Sequence, residues 1–250
     1  MEESVMGVNE EAPQMSFSQK LTGVFFEPSK TFADINRKPS WLGIFVIMGI
    51  LLFPYTYTIM SRTDTTSAAR QRLEASGASP QQVEQQMQVV ERLTQSPIYL
   101  YGISGVSPLL NLIVYLIMAG IFLLLFVIMG APLNFKKSLA VTYWGLFPPG
   151  AISMLLSIAI LYIKEPGTID AQHVLMSNLG PLVDSKAQPV LFSLLSSIDL
   201  FAIWSISLLS IGFAAVSDKK LTTKKAATGI VILWLILVLG KMGYYAIFGK

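Results

Sequence analysis

Leu191-Phe192-Ser193-Leu194-Leu195-Ser196-Ser197-Ile198-Asp199-Leu200-Phe201-Ala202-Ile203-Trp204-Ser205 opens an apolar run that continues through Ile211-Gly212-Phe213 to Val216. The run is long enough to cross a membrane, and it alone among such runs in the chain carries a carboxylate, Asp199. An ionised acid at that depth costs about 2.5–3.5 kcal/mol on insertion scales, so it must be neutral, paired or reached by water. On a continuous helix Phe192, Ser196, Ala202, Ile203, Ser210 and Ala214 lie within about 60° of Asp199, and Trp204 lies about 140° away. Membrane helices approach one another along small, hydroxylic faces of this kind. Asp199 is therefore expected to face the bundle and not lipid.

The rest of the chain has the same character. Of 250 residues 53% are hydrophobic and 13% charged, and the mean hydropathy is +0.59; soluble domains carry about 25% charged residues. This is a membrane protein. The net charge of +3 does not indicate nucleic acid, because the basic residues sit beside apolar spans, where the positive-inside bias already accounts for them. Cysteine is absent and His173 is the single histidine. Thiolate nucleophiles, disulfides and His/Cys metal clusters are thereby excluded, and no cofactor is expected.

Residues Met1 to Met15 are polar and acidic and lack the apolar core of a signal peptide. From Ser16 to Lys38, Phe17, Leu21, Phe25, Phe26 and Phe32 alternate with Lys20, Lys30, Arg37 and Lys38, and Pro28 divides the stretch. Two short helices follow from this pattern, either lying at the membrane interface or capping the bundle. Trp41 to Met60 is charge-free and long enough to span about 30 Å. Arg62 to Pro97 is a polar insert, read as a helical hairpin. A short helix holds Ala68, Ala69 and Leu73, and a second starts at Ser79-Pro80-Gln81-Gln82, the form of a capped helix start. That second helix carries the stripe Val83, Met87, Val90 and Leu93, a candidate surface for docking a partner.

Ser107-Pro108 repeats the start signal before the apolar run Leu109 to Met129. Leu139 to Ile163 follows, with Pro148-Pro149 inside it, which predicts a bent or broken helix. The last apolar run is Ala226 to Phe248, interrupted by Lys241. The fold class is thus all-α and polytopic: five transmembrane helices near 41–60, 108–129, 139–163, 190–216 and 226–248, with an interfacial N-terminal segment over 1–39 and the hairpin insert over 62–97. Ten Lys and Arg residues fall on the N-terminal side and seven on the other, which predicts a cytoplasmic N-terminus and an extracytoplasmic C-terminus.

Three segments together resemble the Yip1 domain family, in particular its bacterial members. They are Phe25-Phe26-Glu27-Pro28-Ser29-Lys30-Thr31-Phe32 with Lys38-Pro39-Ser40-Trp41-Leu42, then Asn134-Phe135-Lys136-Lys137-Ser138-Leu139-Ala140-Val141, and Ile198-Asp199-Leu200-Phe201-Ala202-Ile203-Trp204-Ser205 with Ile211-Gly212-Phe213. The resemblance implies a five-span bundle with a cytosolic N-terminus, in the bacterial cytoplasmic membrane. Eukaryotic relatives are associated with Rab GTPases and vesicle traffic; the long acidic, proline-rich tail usual there is nearly absent here.

Two functions fit. One is a non-enzymatic membrane adaptor or assembly factor that contacts other integral membrane proteins, with the bilayer and a second copy of the chain as further partners. Against an enzyme stands the lack of a phosphate loop, a nucleophile with its base, or metal ligands; an intramembrane aspartyl protease needs a second acid, and no other span holds one. The alternative is a small permease or lipid-handling protein built on Asp199 and a helix break at Pro148 and Pro149. The candidate polar site comprises Asp199, Lys241, Asn111 and Ser196. Asp199 and Lys241 lie at depths differing by about 4–5 Å when counted from the outer ends of their spans, within reach of a lysine stem. An ion pair between them is one reading; a snorkelling Lys241 with Asp199 bonded to a serine is the other.

Overall fold

The computed structural model describes residues 13–63, 66, 69–70, 73–74, 76–166, 174–184 and 187–248. Ala68 and His173 lie outside the described residues, as do Asp170, Lys186, Lys250 and the stretch before Pro13. The helices are α1 (Phe17–Phe26), α2 (Pro28–Arg37), α3 (Leu42–Arg62), α4 (Pro80–Thr94), α5 (Pro97–Ile128), α6 (Phe135–Ile163), α7 (Pro189–Leu195), α8 (Leu200–Val216) and α9 (Thr223–Phe248), with a 3-10 turn at Gly180–Leu182. Helices α3, α5, α6 and α9 are long and apolar enough to cross a membrane, whereas α8 has 17 residues.

Local chemistry sets the ends. Ser16 with Gln19 and Ser79 with Gln82 form capping boxes on α1 and α4, each satisfying two donors at the helix start. Gly130 (φ 86°) closes α5: its N–H reaches the Val127 carbonyl at 2.9 Å and the Ala131 N–H reaches that of Phe126 at 2.9 Å, a Schellman ending. Asn134 then caps α6 through the Lys137 N–H at 2.9 Å.

Two expectations about proline need correction. Ser107-Pro108 does not begin a helix; α5 starts at Pro97 behind the Ser96 cap and runs through Pro108. Proline removes the N–H that would bond the carbonyl of residue 104, and the Ser107 hydroxyl takes its place, donating to that carbonyl at 2.8 Å. Pro148 and Pro149 do not break α6, which is continuous from Phe135 to Ile163, and both are buried. Their rings have become packing groups in the most buried of the long helices.

Helix α6 is the centre. It packs on α3, α5 and α8; α8 packs on α9 and α2, and α7 packs on α9. Tyr143 and Trp144 of α6 are fully buried, with Trp41 stacked 5.8 Å from Tyr143. The crossing of α6 and α8 is close because glycine occupies both sides. A methyl group on Gly145 would lie 2.9 Å from Leu209 Cδ2, and one on Gly212 would lie 2.6 Å from Val141 Cγ1. Small residues let membrane helices approach in this way.

The N-terminal helices pack on the bundle and do not merely rest beside it. Val24, Phe32 and Ile35 are fully buried, Phe25 stacks edge-on to Phe147 at 5.8 Å, and Asn36 Nδ2 donates to Asp218 Oδ1 at 3.4 Å.

Two levels frame the apolar layer. At one, Trp144 Nε1 donates to the Ser40 carbonyl at 2.7 Å. At the other, Arg62 Nε donates to the Leu161 carbonyl at 2.8 Å and its guanidinium lies 4.6 Å from the Tyr162 ring centre, a cation placed where the C-terminal end of α6 favours it. From Trp144 to Lys164 a helix rises about 30 Å, the thickness of a hydrocarbon layer.

Candidate functional site

The run from Leu191 to Val216 is not one helix. It divides into α7 and α8, with residues 196–199 between them, and Asp199 (φ −124°, ψ 138°) is extended backbone. Asp199 is the N-cap of α8: Oδ1 accepts from the Phe201 and Ala202 N–H groups at 2.8 and 3.0 Å. This replaces the expected view of Asp199 inside a helix with Phe192, Ser196 and Ser210 on its face. The physical reason is the aspartate itself, a preferred N-cap whose carboxylate satisfies the donors that a helix start leaves open.

A second segment stabilises the break. The loop before the 3-10 turn lies antiparallel to it, bridging Asn178 to Asp199. The Leu200 N–H reaches the Ser177 carbonyl at 3.1 Å and the Leu179 N–H reaches the Ile198 carbonyl at 3.3 Å. Backbone freed at membrane depth survives only when protein or water satisfies it, and here protein does. The Ser177 hydroxyl donates to Asp199 Oδ2. Gly180 is required beneath: a Cβ there would fall 2.8 Å from Asn178 Oδ1 and 3.2 Å from Ser196 Cβ.

Lys241 comes to the same place from α9. Its ammonium donates to Ser196 Oγ at 3.0 Å, and Asp199, Ser196, Ser197, Ala202, Trp234 and Lys241 line one open cleft of about 400 Å³. Depth follows from the α6–α8 crossing. Leu209 is level with Gly145, so Asp199 stands about 15 Å further along α8, halfway between the Trp144 and Arg62 levels. Two ionisable side chains and two serines thus meet in one cleft, with Lys241 seven residues before the end of α9.

A Yip1 domain model matches residues 22–243. The chain belongs to the Yip1 domain family. No curated protein and no solved structure matches it. As a Yip1 family member with several apolar helices it is a multi-pass membrane protein.

Of the residues singled out in the sequence, Asp199, Lys241 and Ser196 come together in this Yip1 chain. Asp199 and Lys241 share the cleft, but each ends on a serine: Asp199 on Ser177, Lys241 on Ser196. Asn111 does not line the cleft; it stands on α5 one turn before Tyr115, whose ring lies 4.7 Å from that of Tyr143. Pro148 and Pro149 lie within the α6 core. The stripe on α4 splits: Val83 and Met87 are buried, Val90 is half-buried and Leu93 is 55% exposed. Ser177 and Asn178 were not foreseen as site residues. Asn178-Leu179-Gly180-Pro181 does carry a turn signal, since the Asn178 side chain accepts from the Gly180 N–H at 2.9 Å.

Proposed function

We propose that this Yip1 family chain is a non-enzymatic adaptor or assembly factor of the bacterial cytoplasmic membrane, docking other integral membrane proteins through α4. It spans the bilayer five times with a cytoplasmic N-terminus, α7 and α8 together forming the fourth crossing. The topology is supported by Lys137 Nζ, 3.7 Å from Asp218 Oδ1. That contact sets the α5–α6 and α8–α9 turns at one end of the bundle, opposite Arg62.

The observation that carries the adaptor reading is a second apolar face on α4. Val83 and Met87 are already covered by the chain itself, but Val89 (57% exposed) and Leu93 (55% exposed) stand one turn apart on a glutamine-rich helix outside the long spans. They lie about 100–140° around the helix from the buried pair. An exposed i, i+4 pair of this kind is how a helix presents anchors to another helix.

A photo-crosslinking amino acid at Val89 or Leu93, in living cells, is expected to capture one discrete integral membrane protein, while the same group at buried Met87 does not. Equal yields at all three positions, or crosslinks to lipid alone, would overturn the reading. Capture of a second copy of the chain would replace the adaptor by a homo-oligomer.

A further inference from the structure

We propose that the cleft between α8 and α9 binds one glycerophospholipid with a primary-ammonium headgroup, its phosphate on Lys241 and its ammonium on Asp199. This inference is independent of the adaptor reading, which concerns α4, a helix that lines no part of this cleft.

The first step is charge. Lys241 is exposed in the apolar run of α9, and its ammonium has three donors, of which Ser196 Oγ takes one. A cation in such a run is costly unless an anion or water comes to it. Asp199 lines the same cleft, with Oδ1 filled by two backbone donors and Oδ2 holding one hydroxyl. A carboxylate oxygen has room for a further donor at Oδ2. The cleft therefore offers one cation and one anion with unused hydrogen-bonding capacity on both. A headgroup with one phosphate and one ammonium matches it and enters with no net charge. A headgroup bearing phosphate alone leaves Asp199 unpaired beside it, and a quaternary ammonium has no N–H to give.

The second step is shape. A largely apolar groove of about 280 Å³ adjoins the cleft, lined by Ile203, Ile206, Val231 and Trp234, and the two share Ser197, Ala202 and Trp234. It runs from the charged cleft along α8 towards Leu209. Leu200 and Ile203 beside it are 65% and 55% exposed, so the mouth opens sideways onto the region where acyl chains lie. A polar head in the cleft with a chain in the groove fills both. The hydroxyls of Ser196 and Ser197 already donate to the Ser193 carbonyl at 3.1 and 2.8 Å, so the donors offered to a phosphate diester are the remaining N–H groups of Lys241.

The test is native mass spectrometry of the full chain, purified in mild detergent and given equimolar dimyristoyl phosphatidylethanolamine, phosphatidylglycerol and phosphatidylcholine. One phosphatidylethanolamine is expected to be retained, at least about tenfold over either competitor. K241M is expected to lose it, K241R to keep it, and A202W, which fills the passage between cleft and groove, to lose it while K241 remains. D199N is expected to lower the preference for phosphatidylethanolamine over phosphatidylcholine while retaining phospholipid. Each variant is read only as a monodisperse species with the wild-type elution volume. Equal retention of the three lipids by the wild type, no retained lipid, or undiminished retention by both K241M and A202W would overturn the site.

Discussion

Lys20 Nζ lies 2.9 Å from Asp34 Oδ2, joining α1 to α2 through an ion pair whose side chains are only 5% and 6% exposed. The carboxylate also accepts from the Met15 N–H at 3.1 Å and has Arg37 Nη1 at 3.8 Å. Removing one partner from a buried pair strands the other charge, at a cost of about 3–5 kcal/mol. K20M and D34L are each expected to lower the midpoint of thermal unfolding in detergent, and K20M/D34L together to cost less than either alone. A double variant as destabilised as the sum would show that the pair's charges are not coupled.

Burial pushes the Asp34 carboxyl upward, but the hydrogen bonds from Lys20 and Met15 and the charges of Lys20 and Arg37 outweigh it and hold the group below its usual range. A depressed folded value means that the stabilisation is fully present above the unfolded value of about 4 and is lost as the pH falls through the lower folded value. Stability of the wild type is thus expected to decline below about pH 4 more steeply than that of K20M/D34L. Parallel pH profiles would count against Asp34 as the source.

The α6–α8 crossing has almost no room to move. Gly212 faces Val141 Cγ1 at 2.6 Å and Phe32 Cε1 at 2.9 Å from where a Cβ would stand, so a methyl group there strikes both α6 and α2. G212A is expected to destabilise by about 1–3 kcal/mol, the range for overfilling a packed interior. Trimming the neighbour, V141A, should recover part of the loss, because the clash and the cavity share one space. Two losses that simply add would place the strain elsewhere.

Most of the helices could be read from the sequence because their signals are local. The Ser79 and Gln82 box, the apolar length of Trp41 to Met60 and the charged turns all act within a few residues. The break at Asp199 could not be read from hydropathy, since Leu191 to Val216 is apolar on both sides of it. The partners that hold it open, Ser177 and Asn178, come from a loop about twenty residues earlier. The prolines misled in the opposite sense. Pro108 has its lost bond replaced by Ser107, and Pro148 and Pro149 are buried inside a continuous helix, neither of which a periodicity reveals. Lys241 and Ser196 were legible as candidates because a charge and a hydroxyl in apolar runs stand out; their meeting depended on the break.

Single cysteines in this cysteine-free chain test the crossing count. Ser76 and Thr222 are both exposed, and an impermeant thiol reagent on intact cells is expected to label S76C and not T222C. With a five-span topology a C-terminal tag falls on the labelled side. Labelling of T222C with silence at S76C would invert the orientation, and labelling of both would remove α7 and α8 as a crossing.

Asp199 holds the start of α8 and the Ser177 loop at once, which separates its cap from its charge. Asparagine caps a helix about as well as aspartate, whereas alanine loses about 0.5–2 kcal/mol. D199N is therefore expected to retain most of the stability that D199A loses, measured by thermal unfolding in detergent without added phospholipid. Ser177 donates directly to Oδ2, so S177A and D199A should be coupled, the double change costing less than the sum by about 0.5 kcal/mol or more. Lys241 ends on Ser196 Oγ and not on the carboxylate, so K241M and D199A should add to within about 0.5 kcal/mol under the same conditions. Strong coupling of Lys241 to Asp199, with none to Ser177, would mean that the two charges pair directly and that the serine contact does not hold the break.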